Sequence, residues 1–299
     1  MATLTGQDTY VWYQVEATYG TAPNSGTYAP FKEVTSISGR GKARERADLR
    51  VHGFRQRAGS PELRIDEDNL SIEVNLTDAI FDDFIAGFDE THDGTESWSI
   101  VVANNNTAAS ATNVEVYKGC VVDSVEVSID TENVITATIE FIRAESAYGA
   151  TLTAVSVNSA TFTAHNTSST YFVGTDVTLA KAGDFNQDNT IDTIAHDITI
   201  SVSQNGEKKY RLNGSNAHIP IGVHLGQHDV TLSITVDYDD LNEFTDINYD
   251  GSITVTVSGL GTFTFNGVTY DSAYVDSAPN ELLTIDLPMT ADTVDIAVN

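Results

Sequence analysis

Oxygen-bearing side chains recur at alternate positions in two stretches of the sequence. Asp184-x-Asn186-x-Asp188 is followed by Thr190 and Asp192, and Asp246-x-Asn248-x-Asp250 runs directly into Gly251. Alternating oxygen ligands around a bend are what an EF-hand-type Ca2+ loop requires. Neither stretch has an acid at the twelfth position, where Ala195 and Val257 stand, so any affinity is expected to be weak. In a strand-rich chain Asp-Gly also reads as a hairpin turn. Asp184, Asn186, Asp188, Asp192, Asp246, Asn248 and Asp250 are therefore candidate Ca2+ ligands, with a plain turn as the alternative; DETHDG (89–94) is a looser version. His218, His224 and His228 have ligand-like spacing, but Pro220, Gly222 and Gly226 preclude the helix that would align them, so they read as surface or interface histidines. Nucleophile-elbow, phosphate-loop and CxxC patterns are absent. Carboxylates are so widespread that spacing singles out no glycosidase pair. The sequence predicts no catalytic site.

The cationic residues are concentrated. Nine of the 15 Lys and Arg fall between Lys32 and Arg64, leaving the rest of a chain of net charge −28 almost purely acidic. Arg40, Lys42, Arg44, Arg46, Arg50, Arg55 and Arg57 sit among Gly39, Gly41, Gly53 and Gly59, which predicts a long loop or hairpin extension over about residues 36–64. Such an arm has a complementary surface in the acidic face of an identical neighbour, where charge-assisted, often bidentate Arg–carboxylate bonds are directional. A solvated loop and a nucleic-acid contact are the alternatives; the second needs interleaved aromatics, and only Phe54 is available. Bulk attraction to phosphates is disfavoured by the sign of the charge.

The elements that carry these residues are strands. Strict apolar–polar alternation recurs in LSIEVNLT, VEVSI, ITATIEF, ITISV, LSITV, ITVTV and LTIDL. In TDAIFDDFIAGF, Asp78 can cap a short helix whose Ile80, Phe81, Phe84 and Ile85 share one face and which Gly87 stops; DYDDLNEF is a weaker counterpart. The order repeats: LSIEVNLTDAIFDDF against LSITVDYDDLNEF, DETHDG against DINYDG, YKGCVVDS against FNGVTYDS. Gly119 and Gly267 each precede an Asp by four residues. An internal duplication is expected, with domains at 1–150 and 151–299. The class is mainly β: two related sandwich or open-barrel domains, each with one short helix. Each copy leaves strand edges that must be shielded or paired, which makes assembly the expectation. One cysteine allows no internal disulfide, and neither a signal peptide nor a membrane span is visible.

The opening YQVEATYGTAPNSGTYAPFKEVTSISG, with Glu16 and Thr18 to Pro23, then the basic arm and the later KGCVVDSVEVSIDTENVITATIEF, resembles the major tail tube proteins of long-tailed phages and archaeal tailed viruses. The 27 Asp and 16 Glu against 6 Lys and 9 Arg look like haloarchaeal composition, where a Debye length of about 3 Å at 1 M salt screens self-repulsion. The resemblance implies a virion-tail protein assembled in the host cytoplasm, with itself and other tail proteins as partners and no membrane. It implies sixfold rings, hence three duplicated chains per pseudo-hexamer, or six if the second half lies outside the barrel. Rings would stack through the arm at Arg40 to Arg57, and viral DNA would pass an anionic lumen without specific binding. The rival from another class is an extracellular Ca2+-stabilised adhesin or surface-layer module; a polysaccharide-active β enzyme is a third.

Overall fold

The computed structural model describes residues 9–41, 44–46, 49–50, 57–59, 62–65, 68–86, 88, 96–104, 112–165, 170–183, 195–211, 219–237, 251–270, 274–276 and 284–298. The first half holds β1 (Thr9–Val15), β2 (Thr27–Pro30), β3 (Val34–Ser38), then β4 (Arg44–Arg46), β5 (Leu49–Arg50), β6 (Arg57–Gly59) and β7 (Glu62–Ile65). β8 (Leu70–Asn75), β9 (Trp98–Asn104), β10 (Thr112–Asp130), β11 (Thr136–Ile142), β12 (Glu145–Gly149) and β13 (Thr161–Phe162) follow. The second half holds β14 (Val177–Gly183), β15 (Ala195–Ser203), β16 (Glu207–Lys209), β17 (Gly222–His224), β18 (Asp229–Asp237) and β19 (Gly251–Val257). It ends in β20 (Gly261–Tyr270), β21 (Tyr274–Asp276), β22 (Thr284–Ala291) and β23 (Thr293–Val298). The chain is mainly β, as its alternation predicts.

Alternation fixes which face of each strand is buried; registers fix the neighbours. β1·β9, β9·β10, β10·β12, β10·β11, β11·β8 and β8·β3 are all antiparallel pairs of the first half. The same six recur in order as β14·β19, β19·β20, β20·β23, β20·β22, β22·β18 and β18·β15. Even a bulge recurs. β3 skips Thr35 between Val34 and Ser36 against β8, and β15 skips His196 between Ala195 and Asp197 against β18.

Long β10 serves two sheets. Its start pairs with β9 and β12, its end with β11 and β15, and register shifts near Gly119 and Asp123 mark the crossing. Gly119 is left-handed at φ 61°, as is Gly267 in β20 at 62°. A Cβ on Gly119 would lie 2.7 Å from the Ala144 Cβ and 3.0 Å from the Tyr19 ring, so only glycine fits there.

The larger apolar core takes side chains from both halves, including Leu70, Ile72, Phe141, Ile200, Leu232, Phe263 and Leu287. Helix α1 (Asp78–Ile80), continued by a π-helical turn over Phe81–Ile85, closes it from one side. Ile80, Phe81, Phe84 and Ile85 are buried as the sequence predicts. The cap differs: Thr77, in extended geometry, holds the N-cap position, and Asp78 is the first helical residue, accepting from the Ala79 N–H. A carboxylate there still meets the positive end of the peptide dipoles. Phe84 packs against Tyr13, Phe31, Trp98 and Phe141, whereas Phe81 meets Phe263 edge-on and lies where a Gly261 side chain would stand. The helix therefore belongs to the cores of both halves.

Candidate assembly interface

The registers join the two halves into one antiparallel sheet of order β3-β8-β11-β10-β15-β18-β22-β21. Its middle seam is seven Cα pairs long, from Ser124↔Ser203 through Ser128↔Thr199 to Asp130↔Asp197. Among the described residues, β3 and β21 have a partner on one side only. Edge strands of this kind present a row of free peptide groups to another chain.

One face of this sheet lies on the core. Across the other, registers align Ser36, Glu73, Thr138, Glu126, Ser201, Thr231 and Thr290 in one row. Asp130, Asp197, Thr235 and Asp286 form another. The strand positions on this face among the described residues include no Lys or Arg. Burial raises the Asp197 carboxyl above its ordinary value, and the charges of Asp130, Asp286 and Glu132 add to the rise, with His196 opposing it. Asp130 is shifted the opposite way, held down by the Glu132 N–H and the Asn133 amide that donate to it. At the other end of the seam, Asp123 accepts from the Gly206 N–H at 2.7 Å and from Asn69. Burial nevertheless keeps its pKa raised, with the Gly206 bond lowering it in part.

The basic arm leaves this sheet at the end of β3. Gly39 is left-handed at φ 71°, and a Cβ there would lie 1.8 Å from the Asn69 carbonyl oxygen, so a glycine makes the turn. The root is fastened within the chain. Arg40 donates through Nε (2.9 Å) and Nη2 (2.5 Å) to the two oxygens of Glu115, a bidentate fork, and Tyr117 donates to the same carboxylate. Gly41's carbonyl accepts from Arg143 Nη2 at 3.0 Å and from the Tyr148 hydroxyl at 2.6 Å. Arg143 is buried, its guanidinium 4.8 Å from the Tyr117 ring centroid.

Beyond the root, β4 pairs with β7 and β5 with β6, a hairpin extension. Its register opposes Glu45 to Arg64 and Arg46 to Glu62, but Arg50 to Arg57. The matching segment of the second half is the short β16·β17 hairpin, where Lys208 and Lys209 pair with Val223 and Gly222. Arg40 thus has a partner in its own chain, Arg44, Arg46, Arg50 and Arg57 have backbone positions in the hairpin, and Lys42 and Arg55 lie outside the described residues. Both candidate Ca2+ loops, with Asp184, Asn186, Asp188, Asp192, Asp246, Asn248 and Asp250, also lie outside them, as does His218. Among the described residues no cluster of three His, Cys, Asp or Glu is placed to hold a metal. His228 stacks on Phe88, and His224 pairs in register with Glu207.

Glu16, from the Glu-x-Thr-Tyr-Gly-Thr-Ala-Pro opening, is buried, and no local pattern in the sequence assigns it a role. Its carboxylate accepts from the Gly20 and Gly119 N–H groups at 2.7 and 2.9 Å and from the Ser97 and Ser99 hydroxyls at 2.9 and 2.6 Å. It thereby pins the loop after β1 to the crossing point of β10, a structural task. Among the described residues no helix is long and apolar enough to span a membrane.

A family model described as phage tail tube protein matches residues 6–291. No curated protein matches the chain. Among solved structures, a chain from the virion of a native gene transfer agent particle is 14% identical, covering 42% of this chain and 98% of that one at a TM-score of 0.33. A chain from the 6-fold symmetrised baseplate of the anti-feeding prophage is 13% identical, covering 50% and 97% at 0.35. Hcp1 from Flavobacterium johnsoniae is 12% identical, covering 41% and 95% at 0.24.

Proposed function

The chain belongs to the phage tail tube protein family, structural components of the virion and not enzymes, and we propose that three copies close into a ring, that rings stack into a tube, and that the bore conducts DNA. One observation carries this reading: two sets of strands with the same six pairings are fused edge to edge into a sheet whose solvent face has no basic residue among its described strand positions. Two copies of one repeat per chain, divided near residue 150, make three chains equivalent to six repeats. Heterologous, head-to-tail contacts between repeats generate a ring when the rotation closes.

The hydroxyl and carboxylate face then lines the bore. Phosphates meet like charge on that wall and slide instead of binding. The arm, rooted by the Arg40–Glu115 fork, projects its cationic hairpin toward the acidic surface of the next ring. The acidic composition supports a tailed virus of a haloarchaeal host, assembled in the host cytoplasm, as the source. The Ca2+ loops remain a proposal for stabilising the second half.

Negative-stain microscopy and mass measurement in molar salt test the reading. Hollow rings whose mass is a multiple of three chains are expected; persistent monomers overturn it, and rings of six chains per layer overturn the pseudo-hexamer. Reversing Arg44, Arg46 and Arg55 to Glu is expected to leave rings intact and abolish stacking. Unchanged tube length removes the arm's role.

A further inference from the structure

We infer that residues 150–165, which join the two halves, form a pH-sensitive latch. This strap lies closed on the outer face of the first half while His165 is neutral, and lifts from that face when His165 takes up a proton. The strap is held by few bonds. Its 3-10 turn Leu152–Val155, with Val157 and Ala160, packs over Trp12, Val101 and Val116. β13 adds only two residues to β2, and in parallel, the weaker ladder per residue. Phe162 stacks on Tyr28 at 4.8 Å between ring centroids and meets Trp12 edge-on, while the Thr163 carbonyl accepts from the Trp12 indole at 2.8 Å.

His165 closes the end of the contact. Its Nε2 lies 2.9 Å from the Val11 carbonyl oxygen, and its ring meets those of Tyr10 and Trp12 edge-on, 5.2 and 5.1 Å between centroids. A carbonyl only accepts, so Nε2 carries the proton and Nδ1 of the neutral ring has none. From Leu152 to Ala164 the strap has no charged residue, and β1, β2 and β9 have none. Among the described residues, the charges that act on His165 come from Lys32 and Glu33 after β2, and Tyr10 is a phenol that stays neutral in acid.

A second proton puts a full charge into this half-buried, apolar contact, near Lys32. Burial accordingly holds the imidazole below its ordinary value of 6.5, against the bond to Val11; Lys32 adds to the lowering and Glu33 opposes it. Above pH 6.5 the ring is neutral whether the strap is open or closed. Below it the open strap takes the proton first, so opening gains up to about tenfold per pH unit until the closed form is protonated too. Lifting the strap uncovers Trp12, Val101 and Val116, an apolar strip of the kind that marks contact surfaces. Acidity thus decides whether the outside of the first half offers such a surface.

Hydrogen exchange of the full-length chain, read by peptide mass at about pH 5 and about pH 7.5 in the same salt and corrected for intrinsic rates, tests the latch on both sides of the ordinary histidine value. Peptides of β1 and of the strap are expected to lose protection in acid, by up to about tenfold per pH unit. Those of β14 and β19, the matching strands of the second half, should keep theirs. His165→Gln retains an N–H donor and cannot become charged, so its strap should exchange alike at both pH values. Lys32→Gln leaves His165 in place and should reduce the acid opening, which keeps the test decisive where the first variant folds poorly. A wild-type strap equally protected at both pH values overturns the latch. So does acid opening that persists in His165→Gln, or protection lost equally from the strap and from β14 and β19.

Discussion

The outer sheets of the two halves share a plan and differ in what covers them. In the first half, the row Trp12, Val101, Val116 and Ala147 is apolar. In the second, the matching row is Ala180, Thr254, Thr264 and Asp295. The cause is the segment that follows β12. Its 3-10 turn Leu152–Val155, with Val157 and Ala160, packs over Trp12, Val101 and Val116 as a second small core. β13 adds to β2 in parallel, and Thr163's carbonyl accepts from the Trp12 indole at 2.8 Å. A sheet face takes apolar residues where chain lies over it and hydroxyls where water does. The connection between halves is thus a clamp on the first half, and two halves with the same strand pairings differ in what covers their outer faces.

The largest break in this comparison comes from Trp12→Ala. Truncating a fully buried tryptophan that also makes an indole hydrogen bond costs about 3–5 kcal/mol, whereas Thr254→Ala, on the matching face of the second half, should stay within about 0.5 kcal/mol. Denaturant titration of both variants measures the gap. Equal losses would mean that the second face is covered too.

The paired glycines sharpen it further. Gly119 and Gly267 occupy the same place with nearly the same φ, so alanine pays about 1–2 kcal/mol of left-handed strain at either. Their surroundings differ. At Gly119 the new Cβ meets Ala144 and the Tyr19 ring in a packed crossing; at Gly267 it meets the carboxylate end of exposed Asp292, which can swing away. Gly119→Ala is therefore expected to cost about 3 kcal/mol, adding overpacking to strain, and Gly267→Ala about half of that. Thermal midpoints of the two single variants give the order, and a reversed order would show that the second crossing is the tighter.

These glycines and the strands around them were legible in the sequence because each signal is local. Period-two alternation states which face of LSIEVN or ITATIEF is buried, and a repeated Gly-x-x-x-Asp marks a repeated turn. Partner choice is not local. Nothing in NVEVYKGCVVDSVEVSID announces that its end pairs with β15, because alternation is satisfied equally by any neighbour of like pattern. Glu16 escaped for the same reason, since Ser97, Ser99 and Gly119 lie more than 80 residues away in sequence. Thr77 and Asp78 are both good caps, and the one-residue difference was decided by extended geometry at Thr77. The basic arm was legible as charge and glycine, but its intramolecular fork to Glu115 depends on a strand that alternation cannot place beside it.

The smallest expected effect lies at the seam that joins the halves. Asp130 and Asp197 are opposed there, yet their shifts have opposite signs, so the pair is unequal. Asp130's charge is satisfied by the Glu132 N–H and Asn133. Asp197 is raised by burial first and then by the charges of Asp130, Asp286 and Glu132. A carboxyl whose pKa is raised on folding binds its proton more tightly in the native state, so its ionisation lowers stability as pH rises through the folded value, and the loss is recovered as pH falls toward the ordinary 3.8. Asp197→Asn should therefore stabilise the chain at neutral pH and low salt by about 0.2–1 kcal/mol, the range for opposed like charges across strands. The gain should shrink in molar salt, where the Debye length is about 3 Å, and disappear in acid. Asp130→Asn exchanges a charged acceptor for a neutral one at two bonds and should give no gain. Denaturation midpoints of the two variants against pH and salt distinguish the partners; equal gains from both would mean that Asp130 shares the strain of the seam.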